Sequence, residues 1–166
     1  MAKGQAERLV PVLQDLLSRE GVTWADLTAL AVGTGPGNFT GIRIAVSLVR
    51  GLALGLNIPA AGVTGFEALA SRAGVLPFWT LIAAPRGQVY AQRFPDGRPT
   101  LVDLSAVPRL DARHLHGDDF GPADLVAAVA EVGSVRARSH PPRPAPFYLR
   151  GAVASPASDP PPVILP

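Results

Sequence analysis

"LTALAVGTGPGNFTGIRIAVSLVRGLALGL", residues 27–56, sets the architecture. Residues 27–33 form a short apolar run that reads as a buried strand. Gly33, Gly35, Pro36 and Gly37 then break the pattern, and from Thr40, read here as the N-cap, apolar residues return at helical spacing. Strand, tight turn and helix form the start of an α/β unit. "IPAAGV" (58–63) supplies a second short strand and "TGFEALASRAG" (64–74) a third helix, so strands and helices alternate through the first half.

The glycine turn poses a chemical question: phosphate cradle or plain turn. A P-loop requires a lysine at the end of G-x-x-x-x-G-K-[ST], and the turn contains none. A dinucleotide fingerprint requires G-x-G-x-x-G. Counted from Gly33 the third glycine position is Asn38, and counted from Gly35 it is Thr40. Two readings stay open: an anion site on free backbone amides around Gly35, Gly37, Asn38 and Thr40, or a strand-to-helix turn in which glycine supplies positive φ.

The helix after the turn is apolar almost all round. Ser47, Gly51 and Gly55 recur every fourth residue as a small-residue stripe, and Arg43, Ser47 and Arg50 form its polar face. Such a helix must be covered on nearly every side, by its own fold or by another subunit. "AERLVPVLQDLLSREG" (6–21) places Leu9, Leu13, Leu16 and Leu17 at helical spacing, with Gly21 at the C-cap. Pro11 implies a kink or a late start. Thr23 and Asp26 of "TWADL" suit a single capped turn. The two helices offer a shared face built from Leu9, Leu13, Leu16, Arg43, Ser47, Arg50, Gly51, Leu54 and Gly55.

From Phe78 the pattern changes. "FWTLIAAPRGQVYAQRF" (78–94) and "LVDLSAV" (101–107) read as strands joined by the "PDGRP" turn, and "GPADLVAAVAEVG" (121–133) as an Ala-rich helix. After His140 the chain holds nine of its 18 prolines and reads as irregular. Residues 1–75 are assigned to an N-terminal lobe and 76–166 to a second lobe with a Pro-rich tail. "HLHGDD" (114–119) reads as a polar loop, with metal ligation the lesser alternative. Trp24, Trp79 and Tyr90 read as packing residues.

Composition excludes several classes. The 166 residues are 48% apolar with a formal net charge of +2 and no clustered basic patch, so any RNA contact should be indirect. No cysteine is present, which removes disulfides, thiolate metal sites and cysteine nucleophiles. "MAKGQAERL" lacks the apolar core of a signal peptide. Ile42–Leu56 reads as too short for a bilayer and includes Arg43 and Arg50. A soluble, cytoplasmic protein is expected.

With these residues in view, the chain resembles the bacterial TsaB family, formerly called YeaZ. The resemblance rests on "LTALAVGTGPGNFTGIRIAVSLVRGLALGLNIPAAGVTGFEALA", with "AERLVPVLQDLL" before it and "GQVYAQRF" and "FYLRG…PPPVILP" after it. It implies an α/β, actin-like ASKHA (RNase H-like) fold of two lobes. It also implies the non-catalytic relative and heterodimer partner of a TsaD-like transferase subunit, with a TsaE-like ATPase. Together they make N6-threonylcarbamoyladenosine at position 37 of ANN-decoding tRNAs. Members dimerise through the two helices described above, and a homodimer is an alternative open to the isolated chain. No cofactor and no catalytic residue are implied for this chain.

Four departures stand out. Members normally begin with a segment resembling "ILAIDTS…", so the chain is expected to lack the first strands. Ala83 and Pro85 replace residues of a "DARRGEVY" pattern, Val153 stands where aspartate is common, and Gln5 where histidine is common. The catalytic relative holds a metal through H-x-x-x-H on the helix matched by "TGFEALA", where this chain offers only Glu67. One carboxylate cannot hold such an ion. The alternative function, an independent ATPase or glycoprotease-type peptidase using the glycine loop, finds neither an HExxH nor a G-x-S-x-G motif.

Overall fold

The computed structural model describes residues 4–149; Val153 and the end of the Pro-rich tail lie outside them. Helix α1 (Gln5–Arg19) starts at Gln5, so Pro11 falls in its interior and does not delay the start. The carbonyl of Glu7 loses its intrahelical donor there. The helix ends in a Schellman motif: Gly21 takes φ 66°, and the amides of Val22 and Gly21 donate to the carbonyls of Leu17 and Ser18 at 2.9 and 3.2 Å. A 3₁₀ turn follows over Trp24–Asp26. Its Asp26 carboxylate accepts from the Thr23 amide and hydroxyl at 2.9 and 2.6 Å, which holds its pKa below the usual carboxylate value. The Trp24 indole N–H donates to Gln14 Oε1 and ties this turn to α1.

Strand β1 (Leu30–Gly33), helix α2 (Phe39–Leu56) and strand β2 (Ala60–Val63) form a β–α–β unit, its strands parallel with Leu30 opposite Ala60 and Gly33 opposite Val63. The N-cap of α2 is Asn38, not Thr40. Asn38 Oδ1 accepts the Gly41 amide at 2.9 Å, and an Asx side chain two residues earlier reaches the first-turn donors. The helix therefore has 18 residues, about 27 Å. By length and composition alone it could cross a membrane, which corrects the expectation drawn from Ile42–Leu56. It nevertheless packs on β1 and β2 as the crossover of the unit.

Helix α3 (Gly65–Ala70) leads to a four-stranded sheet whose strands, from edge to edge, are Thr100–Asp103, Gln88–Phe94, Phe78–Ala84 and Arg113–His116. Strands β3 (Phe78–Ala84) and β4 (Gln88–Phe94) form a hairpin through Pro85–Gly87, and β5 (Thr100–Asp103) extends it antiparallel. The "LVDLSAV" run divides into β5 and a 3₁₀ stretch, Leu104–Arg109. Strand β6 (Arg113–His116) pairs parallel with β3, so "HLHGDD" is not simply a polar loop: its histidines occupy an edge strand. The core beneath this sheet is Leu81, Val89, Ala91 and Val107, with Trp79 packed against it.

Helix α4 (Pro122–Ala137) returns to the first sheet and lies on β1, β2 and α3. It runs one turn past Gly133 because that glycine is a contact point rather than a cap. A Cβ at Gly133 would lie only 2.3 Å from Ala31 Cβ of β1, so its absence lets helix and strand meet. Val63, Ala68 and Ala128 form the core there. Residues after 76 thus contribute to the packing of both sheets.

Candidate functional site

The glycine turn is latched on three sides. The Thr34 amide donates to the Val63 carbonyl, the Gly65 amide to the Gly35 carbonyl, and the Phe147 amide to the Thr34 carbonyl, each at 2.8 Å. Gly35 has φ 102°, and a Cβ there would lie 2.7 Å from Ile42 Cδ1 and 3.1 Å from the Phe147 carbonyl oxygen. Glycine is required here by both conformation and space. The segment 144–149 closes over the turn. Pro144 is buried against Gly62, and the Phe147 ring stands edge-on to the fully buried Phe66 at 6.3 Å. Tyr148 packs on Phe39 at 4.7 Å. The Arg43 guanidinium lies 3.7 Å over the Phe39 ring and its Nε donates to the Tyr148 hydroxyl at 3.0 Å. Gly35 and Asn38 therefore serve the turn itself, while Gly37 and Thr40 lie exposed beside it.

Helix α2 presents its stripe to open space. Nothing approaches within 4 Å of a Cβ built at Gly51 or Gly55, and Ser47 and Arg50 are exposed. Leu54 is 77% exposed, and Val46 is the residue of the helix that is buried. On α1, Leu16 is 54% exposed, whereas Leu9 and Leu13 are half-buried. Of the residues expected to share a face, the structure brings Gly51, Leu54 and Arg50 together at one end of α2, beside a cleft of about 670 Å³. It does not pack α1 extensively against α2.

At the position where the resemblance places a metal site, Glu67 is engaged otherwise. Its Oε2 accepts from the Thr64 amide and hydroxyl at 2.8 Å, closing a capping box on α3. Its Oε1 accepts from Arg136 Nη2 at 2.5 Å, and Arg136 also donates to the Gly62 carbonyl. Burial alone would raise the Glu67 pKa; the bonds from Arg136 and Thr64 outweigh it and hold the group below the usual range. Neither partner of Glu67 was read from the sequence: the T-x-x-E spacing carries the signal of a capping box, whereas Arg136, on α4, carries none, because only the tertiary fold brings it there. His114 and His116 face each other edge-on at 6.4 Å. Among the described residues no group of three or more His, Asp or Glu side chains converges on one point.

A family model described as "TsaD: tRNA N6-adenosine threonylcarbamoyltransferase" matches residues 1–112. The tRNA threonylcarbamoyladenosine biosynthesis protein TsaB of Escherichia coli is 40% identical over 88 residues, 51% of this chain and 38% of that protein. The chain thus spans well under half of that relative's length. The uncharacterized protein Rv3421c of Mycobacterium tuberculosis is 34% identical over 154 residues, 92% of this chain and 69% of that protein. The solved structure of YeaZ from Pseudomonas aeruginosa superposes with a TM-score of 0.60 at 26% identity, covering 90% of this chain and 86% of the other. The mixed α/β architecture agrees with the actin-like fold of these relatives, and the chain belongs to the TsaB (YeaZ) family.

Proposed function

We propose that the chain acts as a non-catalytic subunit in the formation of N6-threonylcarbamoyladenosine on tRNA. It docks on a TsaD-like transferase subunit through α2, flanked by α1, with a TsaE-like ATPase as the further member. The lobe boundary near residue 75 belongs to the same reading, as do a cytoplasmic location and an indirect contact with tRNA. The observation that carries it is the stripe of Ser47, Gly51 and Gly55, open to solvent beside the exposed Leu54 on an otherwise apolar helix. Small residues along an exposed helix face allow close approach of a second helix, and Leu54 supplies an apolar contact among the exposed Arg43, Ser47 and Arg50. The non-catalytic role is supported by Glu67, whose carboxylate is committed to Arg136 and Thr64. Without the partner, the same face would pair two copies of the chain.

The test is co-purification of the chain with the TsaD-like subunit of its own organism. Replacing Gly51 and Gly55 by leucine introduces no clash within the chain, since both positions are open. The double variant should fold as the parent does and lose the partner. Undiminished co-purification would contradict the assignment of this face.

A further inference from the structure

Where α2 ends, the cleft of about 670 Å³ opens between the helix and the segment after α4. It is lined by the apolar Leu54, Ile58 and Pro144 and by the basic Arg50, His140 and Arg143. No Asp or Glu lines it, and among the described residues neither arginine has an ion-pair partner. Two helices end beside it, but their last carbonyls are partnered. Those of Ala53, Leu54 and Ala137 accept from the amides of Ile58, Asn57 and His140, so the dominant local charge is that of the exposed side chains. Exposed guanidinium groups next to apolar walls match a carboxylate whose neighbours are apolar, because Arg can grip a carboxylate through two parallel hydrogen bonds. Three basic groups without a surrounding basic field or an aromatic stacking platform are too few for RNA, which is held through many phosphate contacts.

We infer that this cleft receives an acidic, partly apolar segment of the protein that docks on α2. The inference rests on the reading of α2 as a docking face, with which the cleft shares Arg50, Gly51 and Leu54. The acidic segment would give the complex a salt dependence that the small-residue stripe alone cannot.

The experiment measures the Kd of the full chain for the TsaD-like subunit at low and high salt, by calorimetry. Arg50→Glu/Arg143→Glu should weaken binding at least tenfold at low salt and remove most of the salt dependence. Arg50→Lys/Arg143→Lys should keep the salt dependence and part of the affinity. Both arginines are exposed, so far-UV circular dichroism should match the parent. An unchanged Kd and salt slope in the Glu variant would overturn the inference. If Gly51→Leu/Gly55→Leu abolishes binding while the Glu variant does not, the docking face stands and the cleft assignment falls. Failure of the parent chain to bind the subunit would remove both. A Glu variant that loses affinity for tRNA while keeping its partner Kd would overturn the inference in favour of phosphate.

Discussion

Glu67 and Arg136 meet across 69 residues of sequence, each side chain about one-third exposed, and they link α3 and α4 beside β2. Removing the carboxylate strands a half-covered guanidinium and opens the capping box, so Glu67→Ala should cost about 1–3 kcal/mol in urea unfolding. The pair also has a pH signature. The folded carboxyl titrates below its ordinary 4.5, so just below that pH the unfolded chain binds more protons than the folded one. The stabilisation is complete above about pH 5 and is lost as pH falls through the depressed value. Glu67→Gln should flatten this acid limb of the stability profile; a limb identical to the parent's would show that the pair does not contribute. At this scale the sequence carries a signal for half of the arrangement, one that the reading of Glu67 as the remnant of a lost metal site passed over. Thr64 and Glu67 stand three apart, the local spacing of a capping box, whereas Arg136 enters through packing that no local pattern encodes. The same holds at Gly35: both phosphate motifs could be rejected from spacing, but the Phe147 carbonyl that crowds this glycine lies more than a hundred positions away.

Glycines on α2 and α4 have opposite meanings at the level of elements. Gly51 and Gly55 face open space, so alanine at either should stabilise the isolated chain by about 0.5–1 kcal/mol through helix propensity. Gly133 touches Ala31, and alanine there should destabilise the chain, overpacking costing about 1–3 kcal/mol. Chemical denaturation midpoints moving in the same direction for both helices would contradict this division. Sequence periodicity recovered α1, α2, β1 and β2 because their apolar spacing is locally determined; it read 78–94 as extended up to the "PDGRP" turn, whereas the structure folds that run into the β3–β4 hairpin at Pro85–Gly87, where Arg86 and Gly87 take positive φ. It missed β6, where Leu115 is the one buried residue of four and the pairing with β3 is parallel and non-local. It stopped α4 four residues early because a glycine used for contact looks the same in sequence as one used for a cap.

For the whole molecule, two small sheets share one chain that crosses back: α4 and the 144–149 segment both return to the β1–β2 unit. That return fixes the start of α2 through Thr34, Phe39 and Arg43 while leaving the rest of the helix exposed along its stripe. The fold class was legible in residues 27–74, whereas the exposure of α2 was one of two readings those residues left open; the strap over the glycine turn and the basic cleft were not legible, because each is assembled from distant segments. Hydrogen exchange of the chain, alone and mixed with the TsaD-like subunit, examines the proposed arrangement as a whole. Amides of residues 43–56 should gain protection on mixing, with those of α1 following and those of β3–β6 unchanged. Protection confined to the β3–β6 sheet, with α2 exchanging as it does in the free chain, would contradict it.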